Sequence, residues 1–226
     1  MTATHPLSFS KFPTSDEVKA AFPGLRALFF DMDGTLFDTE KYHIEAMLRI
    51  GKEFNIKAPL GPKEVHDLMV GRADHLVFEI IKYWENFPKN WTVADFVSSK
   101  NNHFLNIVRN VSGDSYFGTP LKTLINKAKQ EQLKVALVTS SEKAVTQELL
   151  KISGLTEFFD LVLTRDDCPK HKPDPWPYVE ALRFFDLTPK EALIFEDSGV
   201  GLMAALASGA HVVKVEWYEN PTAVKS

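Results

Sequence analysis

Four short segments of this chain carry residue types that could do chemistry. The first is Asp31-Met32-Asp33-Gly34-Thr35. Two carboxylates two residues apart at a strand end project to the same side, and they resist ionising together unless a cation sits between them. A hard divalent ion with oxygen ligands, Mg²⁺ by preference, would supply that cation. Gly34 permits the sharp turn that wraps the site. Asp-x-Asp-Gly is also an ordinary surface turn, but its place directly after an apolar run argues for a site. The second segment, Thr139-Ser140-Ser141, offers hydroxyls and backbone N–H groups where a helix begins. That arrangement suits a phosphate, or serves as a plain N-cap. The third is Lys172 in His171-Lys172-Pro173-Asp174-Pro175, a compact positive charge for a phosphate or carboxylate, or a solvated loop lysine. The fourth, Glu196-Asp197-Ser198-Gly199-Val200-Gly201, adds two acids to an oxygen-rich cluster. Its tail fits a G-x-G-x-x-A dinucleotide fingerprint as well, yet Glu196 and Asp197 would face a pyrophosphate with like charge.

These segments need elements to position them. Each follows or adjoins an apolar run of strand length, at residues 25–30, 135–138 and 192–195, with further candidates at 161–163 and 211–215. Apolarity on both faces suits parallel strands covered by helices. Helical patterns at 120–131, 142–152, 175–185 and 201–208 alternate with them, predicting an α/β fold with a doubly wound, Rossmann-like parallel sheet. Between the first run and the next lie roughly 100 residues, far more than a crossover needs. Helical patterns at 42–54, 62–83 and 93–111 fill that interval, predicting an inserted helical cap over 40–118 and a catalytic core from 24–39 and 119–226. Residues 1–23 read as an N-terminal extension with a short helix over 16–22 capped by Ser15.

Composition narrows the function classes. One cysteine in 226 residues excludes a disulfide scaffold and a Cys-based zinc site. A net charge of −4 gives no footprint for nucleic acid. No apolar run approaches the ~18 residues that span a bilayer, and the first residues do not read as a secretory signal, so a soluble cytoplasmic protein is the expectation.

Taken in order, the four segments resemble the signature of the haloacid dehalogenase (HAD) superfamily: Asp-x-Asp-Gly-Thr, then Thr/Ser, then Lys, then Glu-Asp. Asp38-Thr39-Glu40 with Tyr42-His43, Gly71-Arg72, Lys100-Asn101 and Tyr116-Phe117-Gly118 are similar to the β-phosphoglucomutase-like branch, which also holds many sugar phosphate phosphatases. Phe117 and His171 depart from that branch, which usually has Pro and a small residue there. The resemblance implies a C1 helical cap and a Mg²⁺-dependent phosphatase of a small phosphorylated metabolite, a sugar phosphate above all. It implies Asp31 as the nucleophile that forms an aspartyl-phosphate and Asp33 as general acid and base. Mg²⁺ would be held by the Asp31 carboxylate, the Asp33 carbonyl and Asp197. Thr139, Ser140 and Lys172 would bind the phosphoryl oxygens, with Glu196, Gly34 and Thr39 in support. His43, Arg72 and Lys100 are the cap residues expected to select substrate, each with a bland reading as a packed or solvated helix residue. A β-phosphoglucomutase would use the same phosphoaspartate. A non-catalytic phosphoacceptor domain is a third reading, which Asp33 and the insert count against. Oligomeric state is not legible.

Overall fold

The computed structural model describes residues 7–9, 12–57, 62–69, 72–111 and 119–218. The chain divides into two compact units, one formed by residues 1–38 and 113–226, the other by 39–112.

The first unit is built on a parallel sheet. It opens with β1 (Leu7–Phe9) and α1 (Ser15–Ala21), followed by β2 (Ala27–Phe30), all four of whose residues are buried. The N-terminal stretch therefore contributes a strand, where the sequence pattern predicted only a helix; Ser8 interrupts the apolar run that marks the equally short strand at 161–163. The cap of α1 is Thr14, not Ser15. The Thr14 hydroxyl accepts from the Glu17 N–H while the Glu17 carboxylate accepts from the Thr14 N–H, a reciprocal capping box. Ser15 is the first helical residue, and its hydroxyl donates to Glu131.

The second unit is helical: α2 (Glu40–Glu53), α3 (Pro62–Met69), α4 (Asp74–Ile81) and α5 (Val93–Arg109). The single helix expected over 62–83 is two helices. Ala73, with extended backbone at φ −66° and ψ 141°, caps α4 and breaks a run whose apolar spacing continues across it. Ile50, Val77, Phe78, Ile81, Phe87 and Phe96 form this unit's core, with Trp84 and Trp91 packed against it. A second capping box, Thr92 with Asp95, starts α5.

The chain then returns to the first unit with α6 (Thr119–Gln130), β3 (Lys134–Val138), α7 (Lys143–Ile152), β4 (Leu161–Leu163), α8 (Trp176–Phe184), β5 (Ala192–Glu196), α9 (Gly199–Ala207) and β6 (His211–Val215). All pairings are parallel, in the order β1-β6-β5-β2-β3-β4. Phe29, Ala136, Val138 and Ile194 from the sheet pack with Tyr178, Ala181, Ala204 and Ala205 from α8 and α9. The small side chains of α9 let that helix lie close to the sheet. After β2 the chain proceeds to one side of the sheet, through β3 and β4, and later to the other, through β5 and β6. The carboxyl end of β2 is thus a topological switch point, where open α/β sheets bind their ligands. Phe30 pairs with Leu137 and with Phe195, so the residues just past these three strands emerge at one level.

Candidate active site

Asp31 follows β2 directly, and its N–H donates to the Phe195 carbonyl of β5 at 3.0 Å, which extends the ladder by one residue and fixes the carboxylate's direction. Met32 is fully buried, so Asp31 and Asp33 flank a side chain anchored in the core. The Met32 carbonyl accepts from both Leu36 and Phe37 N–H, and Gly34 N–H donates to Phe37, folding residues 32–37 into a closed loop. Gly34 has φ +80°, and a Cβ there would fall on the carboxylate of Asp197. Position 34 therefore excludes a side chain on two grounds. Thr35 donates its hydroxyl to Asp197 Oδ1 at 2.8 Å.

Lys172 lies at the centre. Its ammonium reaches Asp31 Oδ1 and Glu196 Oε1, each at 2.6 Å, and the Val138 carbonyl at 3.0 Å, so all three of its N–H bonds have acceptors. The lysine side chain is only 4% exposed, and that of Glu196 is fully buried. The loop delivering Lys172 is held by the Asp174 N–H on the His171 carbonyl and by the Asp174 carboxylate, which accepts from Trp176 N–H as α8 begins. Glu196 is gripped from its other side by the N–H and hydroxyl of Ser198, which caps α9 through Gly201 N–H. A Cβ at Gly201 would overlap the Glu196 carboxylate. Gly201 thus makes room for an internal carboxylate, a different task from cradling a pyrophosphate.

Asp31, Glu196 and Asp197 bring carboxylate oxygens within 4.8 Å of one another. One ammonium cannot balance three acids. Burial, opposed by Lys172 and reinforced by Glu196 and Asp197, holds the Asp31 carboxyl well above the usual carboxylate range. Burial and the Glu196 charge push Asp197 up to about 7. Burial works against the charge on Lys172, but Asp31 and Glu196 override it and raise the ammonium well above its ordinary value. A converging, under-compensated set of oxygen donors fits a hard divalent cation, which would let all three acids ionise together.

Asp33 joins through Ser141, whose hydroxyl donates to Asp33 Oδ2 at 2.7 Å. Thr139 is buried after β3, its N–H on the Leu163 carbonyl of β4 and its hydroxyl accepting from Ser141 N–H. Ser140 is exposed at the same turn. The residues of the four segments therefore meet at the end of the sheet.

His43, Arg72 and Lys100 belong to the helical unit. His43, on α2, stacks on Phe104 of α5 with ring centroids 4.0 Å apart and planes 7° from parallel. Lys100 is buried, its ammonium 2.5 Å from each oxygen of Asp74. Arg72 is exposed just ahead of α4, and Thr39 is buried at the start of α2 without a side-chain cap. Gly71 and residues 116–118 lie outside the described residues.

The sequence singles out Ser141 and Thr35 only as members of their segments, with no role of their own, and does not single out Tyr178 at all. Tyr178 places its hydroxyl 3.2 Å from Glu196 Oε1 and its ring under the Lys172 ammonium, 4.9 Å from the centroid. Thr35 stood within the first motif and Ser141 within the second, so position alone marked both. Tyr178 carried no local signal.

The chain is similar along most of its length to several known proteins. The phosphoglycolate phosphatase of Nitrosospira multiformis is 28% identical over 205 residues, covering 87% of this chain and 85% of that protein. The phosphorylated carbohydrates phosphatase of Thermotoga maritima is 27% identical over 192 residues, covering 82% of each. The crystal structure of CbbY from Rhodobacter sphaeroides in complex with phosphate superposes with a TM-score of 0.74 at 25% identity, over 86% of this chain and 88% of that one. The description of the haloacid dehalogenase-like hydrolases matches residues 28–215, and the chain belongs to that family.

Proposed function

We propose that this chain is a Mg²⁺-dependent phosphatase of small phosphorylated metabolites, sugar phosphates foremost, working through a phosphorylated Asp31. The observation that carries this reading is the buried Asp31–Lys172–Glu196 cluster with Asp197 beside it, three acids around one ammonium at the switch point of the sheet. The names of the Thermotoga maritima and Nitrosospira multiformis relatives, a phosphorylated carbohydrates phosphatase and a phosphoglycolate phosphatase, support the substrate class.

In this mechanism the Asp31 carboxylate attacks phosphorus in line with the leaving oxygen; the new O–P bond forms as the ester O–P bond breaks. Asp33 gives its proton to the leaving alkoxide. A water then attacks the aspartyl-phosphate, Asp33 takes its proton, and phosphate departs with the Asp31 carboxylate restored. The Thr139 hydroxyl, Ser140 N–H and Lys172 ammonium bind the phosphoryl oxygens, where charge gathers in the transition state. Asp31, the Asp33 carbonyl and Asp197 would hold Mg²⁺, which when bound neutralises charge between carboxylate and phosphate. Glu196, held by Tyr178 and Ser198, orients Lys172.

The test is phosphate release with Mg²⁺ across sugar phosphates, phosphoglycolate and nucleotides, beside Asp31→Asn. Release from a sugar phosphate should fall at least ~10³-fold in Asp31→Asn. Full turnover by that variant would overturn the mechanism. Conversion of β-glucose 1-phosphate to glucose 6-phosphate without free phosphate would replace the phosphatase with a mutase.

A further inference from the structure

The loop that carries Asp33 is held from an unassigned quarter. Trp217 and Tyr218 follow β6. The Trp217 indole N–H donates to the Thr35 carbonyl at 2.9 Å, and the Tyr218 hydroxyl donates to the Leu36 carbonyl at 2.9 Å. Consecutive aromatic residues thus take up consecutive carbonyls of the catalytic loop. Trp217 is fully buried, stacked on Phe12 with centroids 4.6 Å apart and tilted against Phe195 of β5. Phe12 also meets the edge of Tyr218.

We infer that Trp217 and Tyr218 form an aromatic clamp that sets the orientation of the 32–37 loop, making Trp217 a positioning residue for Asp33 and for the Thr35–Asp197 pair; the catalytic part of this inference rests on the phosphatase reading. The loop's own N–H groups close on Met32 and Phe37, which fixes its curl but leaves its outward carbonyls to other partners. The Leu36 and Phe37 N–H groups hold one edge of two successive peptide planes on the Met32 carbonyl, and the two aromatic donors hold the opposite edge of each, so that neither plane can turn about a single bond. Asp33 and Gly34 immediately precede Thr35, and the Thr35 hydroxyl reaches Asp197, so a rotation at Thr35 displaces both acids. A buried carbonyl left without its donor would turn to find another.

Trp217→Phe keeps the stack on Phe12 and removes the N–H, and Tyr218→Phe removes only the hydroxyl. Two measurements decide. First, hydrogen exchange of the Leu36 and Phe37 amides should quicken about tenfold or more in Trp217→Phe, and less in Tyr218→Phe. Unchanged exchange in both variants overturns the clamp, and this readout does not depend on the substrate. Second, kcat should fall more for an alkyl phosphate than for p-nitrophenyl phosphate, with KM within about twofold, because a poorly aimed Asp33 hurts most where the leaving oxygen needs its proton. A loss of about tenfold for the alkyl ester against about twofold for the aryl ester is the expected split in Trp217→Phe. Equal losses on both esters, following the fall in folded fraction, would make Trp217 a packing residue only. Wild-type protein that hydrolyses neither ester while its exchange responds as described would defeat the phosphatase reading and leave the clamp standing.

Discussion

The two units each bury a lysine, and the company each lysine keeps is different. In the helical unit Lys100 meets one acid, Asp74, through both carboxylate oxygens, and the pair is neutral. In the sheet unit Lys172 meets two acids and a backbone carbonyl, with a third acid alongside, and ionising all three would leave the set with excess negative charge. A closed pair carries no net charge, so whatever its own desolvation costs, it holds no standing attraction for a further ion. An unbalanced cluster keeps at least one carboxyl above its ordinary range, as Asp31 and Asp197 show, and so retains affinity for a cation. Burial alone does not distinguish a functional lysine; the charge count around it does.

The largest expected effect tests this contrast directly. Lys172→Met should reduce turnover by about 10³-fold or more, since it removes a charge from the developing phosphoryl oxygens. Lys100→Met should leave kcat within about threefold and lower thermal stability by about 1–3 kcal/mol, because Asp74 loses its partner. Adding Asp74→Leu to Lys100→Met should recover most of that loss, as replacement of a whole buried pair does. A Lys100→Met variant that keeps its melting temperature but loses turnover would collapse the distinction.

Next in size is a pH effect. The Asp197 carboxyl rises from 3.8 to about 7 on folding, so between those values the folded protein binds a proton that the unfolded chain has released. Stability contributed by this group therefore falls as pH rises from about 4 to about 7, and the full cost stands above that window. Asp31, shifted in the same direction, acts in the same sense. Melting curves in chelator should show this decline, added Mg²⁺ should restore the most stability at its upper end, and Asp197→Asn should flatten both trends. A Mg²⁺ effect independent of pH would count against the charge imbalance.

The smallest of the three concerns the hydroxyl between motifs. Ser141→Ala should lower kcat by about tenfold while changing the melting temperature by no more than a few degrees, with Ser141→Thr restoring much of the rate. No change in kcat would mean that Asp33 needs no help from Ser141.

Much of the candidate site's assembly was readable in the amino-acid order because its residues sit where strands stop. Asp31, Thr139 and Glu196 each end a both-face-apolar run, and a parallel sheet brings such ends together. The five strands β2 to β6 and their helices followed from the same alternation. Contacts between residues far apart in the chain were not readable: Tyr178 on Glu196, Trp217 on Thr35, Ser141 on Asp33. These are ordinary residues until the fold delivers a partner. The break between α3 and α4 escaped because apolar spacing reports which face is buried and is silent on one extended residue such as Ala73. Ser15 was passed over for Thr14 because the reciprocal bond needs its acid three residues on, at Glu17.

The stack of His43 on Phe104 also bears on how the chain folds. It joins the first turns of α2 to the later turns of α5, near the two ends of the helical unit. The sheet cannot form until Ala27 finds Lys134, with the whole of that unit between them in sequence. Closing so long a flexible segment costs chain entropy and slows the search. Once α2 and α5 are zipped together the unit's ends are neighbours, and for the strands on either side the insert behaves as a short connection. The unit that lengthens the chain most therefore need not lengthen the search for the sheet, provided that it folds first.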